Sequence, residues 1–294
     1  MQERVLNIDI PGSIRAFESA LHYLEFKTKI YRLLFRGKGL EFEQFRSFAP
    51  DDDASLIDWK ASMRSQQLLV RQYKEEKDQK ILFIIDVSDN MVFGSEKKLK
   101  CEYAAEVAAA FVHLIISYGD KVGFLFFNER VVNYAMPLGS MRQFYFFVNE
   151  LSKPEIYGGA SRLSKAVRFV TDYFISLSSV VLISDFMHPD SDFDLALRYL
   201  SHKFETIALM IKDPRDLVLP NVSGEYLIQD PLTGEQILVN PKVARQQYEQ
   251  HSLRQEESVM ALFRANRVDS LRFLTSEPFA FPLAHFLKER IIYR

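Results

Sequence analysis

The sequence predicts an α/β fold in which a mostly parallel sheet is flanked by helices. Apolar runs rich in β-branched residues, such as Ile81–Ile85 and Val180–Ile183, are typical of parallel strands buried on both faces. Segments with apolar residues at helical spacing, such as Lys98–Tyr118, alternate with these runs. This alternation predicts a parallel sheet with helices on both faces, and 294 residues suffice for its core.

Residues 1–78 are predicted to form an N-terminal extension with both helix and strand. Ser13 is placed to cap a helix that runs to about Thr28, because the apolar residues after Ser13 share one helix face. The other segments predicted here are strand-like pieces at Glu41–Phe48 and Leu68–Tyr73, separated by a turn cluster at Pro50–Asp53.

Residues 79–212 are predicted to form the sheet domain. A short turn between the second and third strands indicates a hairpin, so the third strand is expected to be antiparallel to its neighbour. The predicted strands are Ile81–Ile85, Val122–Phe127, Val131–Ala135, Val180–Ile183 and Thr206–Ile211. The predicted helices are Lys98–Tyr118, Met141–Leu151, Leu163–Ile175 and Phe193–Leu200.

Residues 213–294 are predicted to add a hairpin and helices that pack on the same unit. The hairpin strands are Glu225–Gln229 and Gln236–Val239, joined by the turn Asp230–Gly234. A long charged helix at Lys242–Ala265 and a shorter helix near Leu283–Arg290 follow.

Composition limits the function. Lys and Arg total 37 against 39 Asp and Glu, which disfavours a nucleic-acid binder that works by bulk charge. A single cysteine, Cys101, excludes an intramolecular disulfide and a cysteine-based zinc site. The N-terminus lacks a secretory apolar run, and Val107–Ile116 is shorter than the roughly 20 residues of a membrane span. We expect a cytoplasmic protein without an integral membrane segment.

Oxygen-bearing side chains gather where the predicted strands end. Asp86 and Ser88 follow the first strand, Ser161 precedes a helix, and Asp185 follows a later strand. Ligands of open parallel sheets bind outside the carboxyl ends of the strands. Carboxylate and hydroxyl oxygens suit Mg²⁺, Mn²⁺ or Ca²⁺ rather than zinc. The alternative is structural, because Asp and Ser are also common helix caps.

Together with Asn90, these residues resemble the metal-ion-dependent adhesion site of von Willebrand factor A domains. The matching positions are Asp86, Ser88, Asn90, Ser161 and Asp185. Asn90 stands where Ser is usual and Ser161 where Thr is usual, and both keep an oxygen that could ligate. The resemblance implies a Rossmann-like fold and a magnesium-type ion whose open position takes a carboxylate from a partner protein.

The preceding segment resembles the domain of unknown function 58 family, which places its signature directly before an A-type domain. The signature residues here are Gly37–Phe42, Phe45–Phe48, Asp51, Asp52, Ile57–Ser62, Arg64 and Leu69–Arg71. The resemblance implies a bacterial or archaeal adaptor or chaperone-like protein. The partners implied are MoxR-type AAA+ ATPases and membrane-anchored A-domain proteins.

We therefore expect a non-enzymatic adaptor that grips an acidic side chain of a protein partner through its ion. A metal-dependent phosphoester hydrolase is the first alternative, but Ser88 stands where an Asp-x-Asp phosphatase needs its second carboxylate. The second alternative is an adaptor whose metal site has degenerated, for which Asn90 is the warning sign.

Overall fold

The structure is a computed structural model that describes residues 5–24, 40–49, 57–75, 79–174, 176–187, 189–229 and 235–292. These residues form two compact units, and each is described by itself. The smaller unit comprises the described residues between positions 36 and 78, and the larger comprises the rest. The predicted features outside the described residues are the helix end near Thr28, the signature residues Gly37–Gly39, Asp51 and Asp52, and the turns Pro50–Asp53 and Asp230–Gly234.

Helices and strands alternate along the described chain. The helices are α1 (Ile10–Tyr23), α2 (Trp59–Ser65), α3 (Lys100–Ser117), α4 (Met141–Leu151), α5 (Leu163–Tyr173), α6 (Phe193–Lys203), α7 (Pro214–Leu217), α8 (Pro241–Ala265) and α9 (Ala280–Ile292). The strands are β1 (Leu40–Ser47), β2 (Leu69–Glu75), β3 (Lys80–Asp86), β4 (Lys121–Phe127), β5 (Val131–Leu138), β6 (Ser179–Ser184), β7 (Glu205–Lys212), β8 (Tyr226–Gln229), β9 (Gln236–Val239) and β10 (Asp269–Leu274).

The smaller unit is an antiparallel pair, β1 and β2, joined through α2. Asp58 begins α2, because its side chain accepts a hydrogen bond from the Ala61 backbone N at 3.0 Å. Such a cap satisfies one of the free backbone donors of the first turn. Ser62 then ties the helix to β2, since its Oγ accepts from the Leu69 backbone N at 2.8 Å.

The larger unit is built on a six-stranded sheet in the order β10-β7-β6-β3-β4-β5. All neighbouring pairs are parallel except β4 and β5. The chain starts at the centre with β3, winds outward to β5, and returns to the other side of β3 with β6. This doubly wound order confirms the predicted fold class and puts the topological switch point between β3 and β6, where such sheets bind ligands.

Helices cover both faces of this sheet. On β3, Phe83 faces a core shared with α1, α3, α4 and α9, whereas Leu82 and Ile84 face a core shared with α5, α6 and α8. Phe83 meets Phe111 of α3 edge-on, with ring centroids 5.6 Å apart. Each fully buried side chain of this size stabilises the fold by roughly 1.5–3 kcal/mol. The two cores fix the end of β3 in place.

Helix α3 is buried along nearly its whole length, as its apolar composition on all sides requires. The side chain of Cys101, the only cysteine of the sequence, is 2% exposed there. The run Val107–Ile116 lies within this helix. None of the helices in the described ranges is long and apolar enough to cross a membrane.

One predicted helix start is wrong, and helices α2 and α7 and strand β10 were not predicted. The predicted helix start at Ser13 is wrong, because Asp9 caps α1 by accepting from the Gly12 backbone N at 2.9 Å. Pro11 in the first turn favours this earlier start, since its fixed φ suits a helix N-terminus and Ser13 is buried inside the helix. Strand β10 was not predicted, because Asp269–Leu274 mixes polar and apolar residues at the sheet edge.

Candidate functional site

The predicted site lies at the switch point, where β3 ends at Asp86 and β6 ends at Ser184. The Asp86 side chain is fully buried. Its Oδ1 accepts from the Ser88 backbone N at 2.9 Å. Its Oδ2 accepts from two hydroxyls, those of Ser161 and Ser184, each at 2.7 Å. Asp86 is therefore the centre of a cluster built from three separate loops.

The Asp86 carboxylate has no ion-pair partner among the described residues. Burial and the nearby negative charge of Asp185 raise the pKa of Asp86, against the lowering effect of Ser184 and of both the side chain and the backbone of Ser88. A buried carboxylate without a positive partner is costly. The adjacent Ser88 side chain is also fully buried, and its Oγ has no hydrogen-bond partner within the described part of the chain. In the described structure, the cluster thus holds one hydroxyl oxygen without a hydrogen bond, that of Ser88, beside a carboxylate without a cationic partner.

The negative charge of Asp185, in contrast, is neutralised by a buried lysine. Its Oδ2 lies 2.7 Å from the Nζ of Lys100, and that ammonium lies 3.0 Å from the Asp216 carboxylate. Lys100 and Asp185 are both buried. Burial raises the pKa of Asp185, but the charges of Lys100 and Lys212 outweigh this and hold it below its usual value. Asp185 is therefore a fixed negative charge next to Asp86.

The turn after β6 holds the side chains of Ser184 and Asp185 in position. The Ser184 Oγ, which donates to Asp86, also accepts from the Phe186 backbone N at 3.1 Å. Phe186 has a φ of +49°, in the left-handed region that bulky residues rarely adopt. Its ring packs edge-on against Phe263 at 5.1 Å, and this packing offsets the strain. The turn presents Asp185 at a fixed position.

The loop that carries Ser161 is tied to the loop after β3. Gly158 and Gly159 have φ values of +145° and +79°, which only glycine adopts easily. The Gly159 N donates to the Asp89 side chain at 2.9 Å, and the Asp89 N donates to the Gly159 carbonyl at 2.9 Å. Asn128 donates to the Gly158 carbonyl at 2.6 Å. These bonds hold Ser161 against Asp86.

Asn90 is placed differently from the other four predicted residues. It lies half-buried on the 3₁₀ turn Asp89–Val92 and lines a groove that also reaches Asp185. No hydrogen bond joins it to Asp86, Ser88, Ser161 or Asp185 in the described structure. The structure therefore brings Asp86, Ser88 and Ser161 into contact, sets Asp185 beside them, and leaves Asn90 at the rim.

The side chains present fit a hard divalent cation. Asp86, Ser88 and Ser161 offer carboxylate and hydroxyl oxygens, the ligand type that Mg²⁺ and Ca²⁺ prefer. A cavity of about 20 Å³ lies beside Ser161, Ser184 and Asp185, but its lining is largely apolar and includes neither Asp86 nor Ser88. Across the described residues, no three His, Cys, Asp or Glu side chains converge as a metal site, so any ion here would depend on the hydroxyls.

Sequence reasoning assigned no role to three residues that shape this site. Ser184 carried a signal, because it directly precedes Asp185 at the same strand end. Lys100 carried none, since a lysine in the first turn of a helix is usually solvated and this one is buried. Asp216, the second partner of Lys100, lies on the short helix α7 that was not predicted.

The sequence matches one family model and curated relatives. The family model described as protein of unknown function DUF58 matches residues 44–258. The uncharacterized protein Rv1480 of Mycobacterium tuberculosis is 27% identical over 203 residues, which are 68% of this chain. The chain spans 63% of that relative's length, less than two thirds.

Two solved structures are similar at low sequence identity. The conserved hypothetical protein BatB from Bacteroides thetaiotaomicron is 12% identical with a TM-score of 0.47, over 72% of this chain and 98% of that one. The SpRpn10 VWA domain is 11% identical with a TM-score of 0.38, over 70% of this chain and 93% of that one.

Proposed function

The chain belongs to the DUF58 family of proteins of unknown function, as its sequence signature predicted, and on that premise we propose that it is a non-enzymatic protein-interaction module. Its binding site would be the Asp86 edge of the sheet. A divalent cation, Mg²⁺ or else Mn²⁺ or Ca²⁺, would be held there and would bind a carboxylate of the partner protein.

The observation that carries this proposal is the buried Asp86 carboxylate, which lacks a cationic partner in the described structure. Such a charge is costly to bury alone, so a site built around it favours a bound cation. The orphaned Ser88 Oγ supports the same conclusion, because buried hydroxyls are normally hydrogen-bonded. When bound, the cation would supply positive charge and a coordination position open to a partner.

The residues of the site would have different roles in binding the ion. Asp86, Ser88 and Ser161 would hold the ion, and Ser184 would keep the Asp86 carboxylate in position. Asp185 would act mainly through its charge, because Lys100 already engages one of its oxygens. Asn90, at the rim, would contact the ion or the partner.

The partner is proposed to be a protein with an exposed acidic side chain. A MoxR-type AAA+ ATPase is the first candidate to test, because the family resemblance implies it. Hydrolysis is less well supported, since Ser88 stands where a phosphatase of the Asp-x-Asp type needs its second carboxylate.

Titration calorimetry with Mg²⁺, Mn²⁺ and Ca²⁺ tests the proposal on protein stripped with EDTA. We expect one ion to bind the wild type, and Asp86→Asn and Ser88→Ala to weaken it about tenfold or more. Asp172→Asn removes an exposed carboxylate of α5 and should bind as the wild type does. No binding of any of the three ions by the wild type would show a degenerate site. Turnover of p-nitrophenyl phosphate that is lost in Asp86→Asn would show an enzyme.

A further inference from the structure

A groove with a volume of about 1140 Å³ runs from Asp185 toward the hairpin formed by β8 and β9. Much of its lining is apolar. Phe93 comes from the loop after β3, Leu219 follows α7, and Ile228 and Ile237 come from the two hairpin strands. Its volume exceeds that of most small-molecule pockets, which indicates room for a stretch of polypeptide.

The hairpin leaves apolar side chains in solvent. β8 and β9 form a two-stranded sheet of their own, and all their residues except Val239 are exposed. Ile228 and Ile237 are cross-strand neighbours that both line the groove, and they are 40% and 62% exposed. A two-stranded hairpin is marginally stable alone, and a contiguous exposed apolar patch marks an interaction surface. The hairpin is therefore suited to gain cover from a partner.

The groove lining contains two cations, Lys100 and Arg215, and three carboxylates, Asp185, Asp216 and Glu235. The two buried carboxylates, Asp185 and Asp216, share the Lys100 ammonium. Arg215 lines the groove as well, and its guanidinium has no partner among the described residues. The Arg215 backbone is held at both ends, because its N donates to Asp213 at 2.8 Å and its carbonyl accepts from the Tyr248 hydroxyl at 2.9 Å. A guanidinium without an ion-pair partner can bind a carboxylate of a ligand.

We propose that this groove takes an extended segment of a partner protein in which an acidic side chain is flanked by apolar ones. The acidic side chain would lie toward Arg215 and the Asp86 edge, and the apolar neighbours would cover Phe93, Ile228 and Ile237. This inference rests on the proposed function and names the chemistry of its partner.

The test uses a phage library of random twelve-residue peptides, selected on the full chain in Mg²⁺. Enriched peptides are synthesised, and their affinity is measured for the wild type, Arg215→Glu and Ile237→Asp. We expect an Asp or Glu between apolar residues, and a loss of affinity of about tenfold or more in both variants. Arg142→Glu and Tyr145→Asp, at exposed positions of α4 outside the groove, should bind as the wild type does.

The outcomes separate the two proposals. Peptides that bind Arg215→Glu and Ile237→Asp as tightly as the wild type, or enrichment of peptides without a carboxylate, would overturn the groove assignment. An absence of any enriched peptide would also overturn it. Peptides that need Arg215 and Ile237 but bind equally in EDTA and to Asp86→Asn would support the groove and reject the ion-bridged function.

Discussion

The Nζ atom of Lys100 lies 2.7 Å from the Asp185 carboxylate, inside the protein and directly behind the proposed binding site. The same ammonium reaches Asp216 at 3.0 Å, so one lysine joins the end of β6 to α7. Asp86, next to this group, has no such partner in the described structure. The site therefore places one compensated carboxylate beside one uncompensated carboxylate.

Lys100→Met should destabilise the protein by about 3–5 kcal/mol. Methionine fills similar space but removes the ammonium that contacts Asp185 and Asp216, and in the described structure only the more distant charge of Lys212 remains for both. Removing one partner is the costly way to break a buried ion pair. Urea unfolding measures the change. Lys97→Met, at an exposed position, should stay within about 0.5 kcal/mol of the wild type. A loss below about 1 kcal/mol in Lys100→Met would mean that the lysine is not needed to neutralise these carboxylates.

Asp86→Asn should be at least as stable as the wild type in EDTA. The amide removes the buried charge, and the Ser161 and Ser184 hydroxyls can accept from its nitrogen as readily as they donate to a carboxylate. Saturating Mg²⁺ should then raise the unfolding temperature of the wild type only. The gain is about 2.7 kcal/mol when the ion is at a hundredfold excess over its Kd.

The result that contradicts this prediction is a large loss of stability in Asp86→Asn without metal. It would show that the ionised carboxylate itself stabilises the apo protein, and the argument from an uncompensated charge would fail. Asp172→Asn provides the matched surface control in both buffers.

Ser184→Ala should cost about 1–3 kcal/mol, more than most single serine substitutions. It removes a donor to Asp86 and an acceptor for the Phe186 N, and both groups are buried. Scanning calorimetry measures the effect. Ser258→Ala is the control, because that exposed hydroxyl bonds only to the Arg254 carbonyl of its own helix. Equal stability of the two variants would show that the turn does not depend on Ser184.

Gly123→Ala should loosen the pairing of β4 with β5. An added Cβ would lie 2.7 Å from the Ala135 carbonyl oxygen and 3.0 Å from Pro137, so the edge strand must shift, at about 1–3 kcal/mol. Hydrogen exchange should show faster exchange in β5. At Gly139 the nearest atom is 3.3 Å away, and Gly139→Ala should have the smaller effect. Unchanged β5 protection in Gly123→Ala would contradict the close approach.

The strands of the sheet could be predicted from the sequence because strands buried on both faces consist almost entirely of apolar residues. Ile81–Ile85 is the apolar run expected of a strand covered on both faces, and its position in the chain order placed Asp86 at the binding edge. The order of strands and helices in the sequence also predicted that Ser161 and Asp185 lie near Asp86. In the structure, the Ser161 hydroxyl is hydrogen-bonded to the Asp86 carboxylate.

The missed features depend on contacts between distant segments. Lys100 is buried because Asp185 and Asp216 neutralise it, and these partners follow it by 85 and 116 positions. No local pattern records such a pairing. Ser13 was predicted as the cap of α1 because serine is a good cap residue, and only the structure shows that Asp9 takes this role and Ser13 is buried within the helix.

The burial of Cys101 has a practical consequence. A thiol reagent in water can reach this sulfur only when α3 moves away from the sheet, since the side chain is 2% exposed in the closed protein. The labelling rate of the native chain thus measures how often α3 moves away from the sheet. A cation or peptide that binds at the neighbouring strand ends should slow that labelling, without any dye or tag on the binding surface.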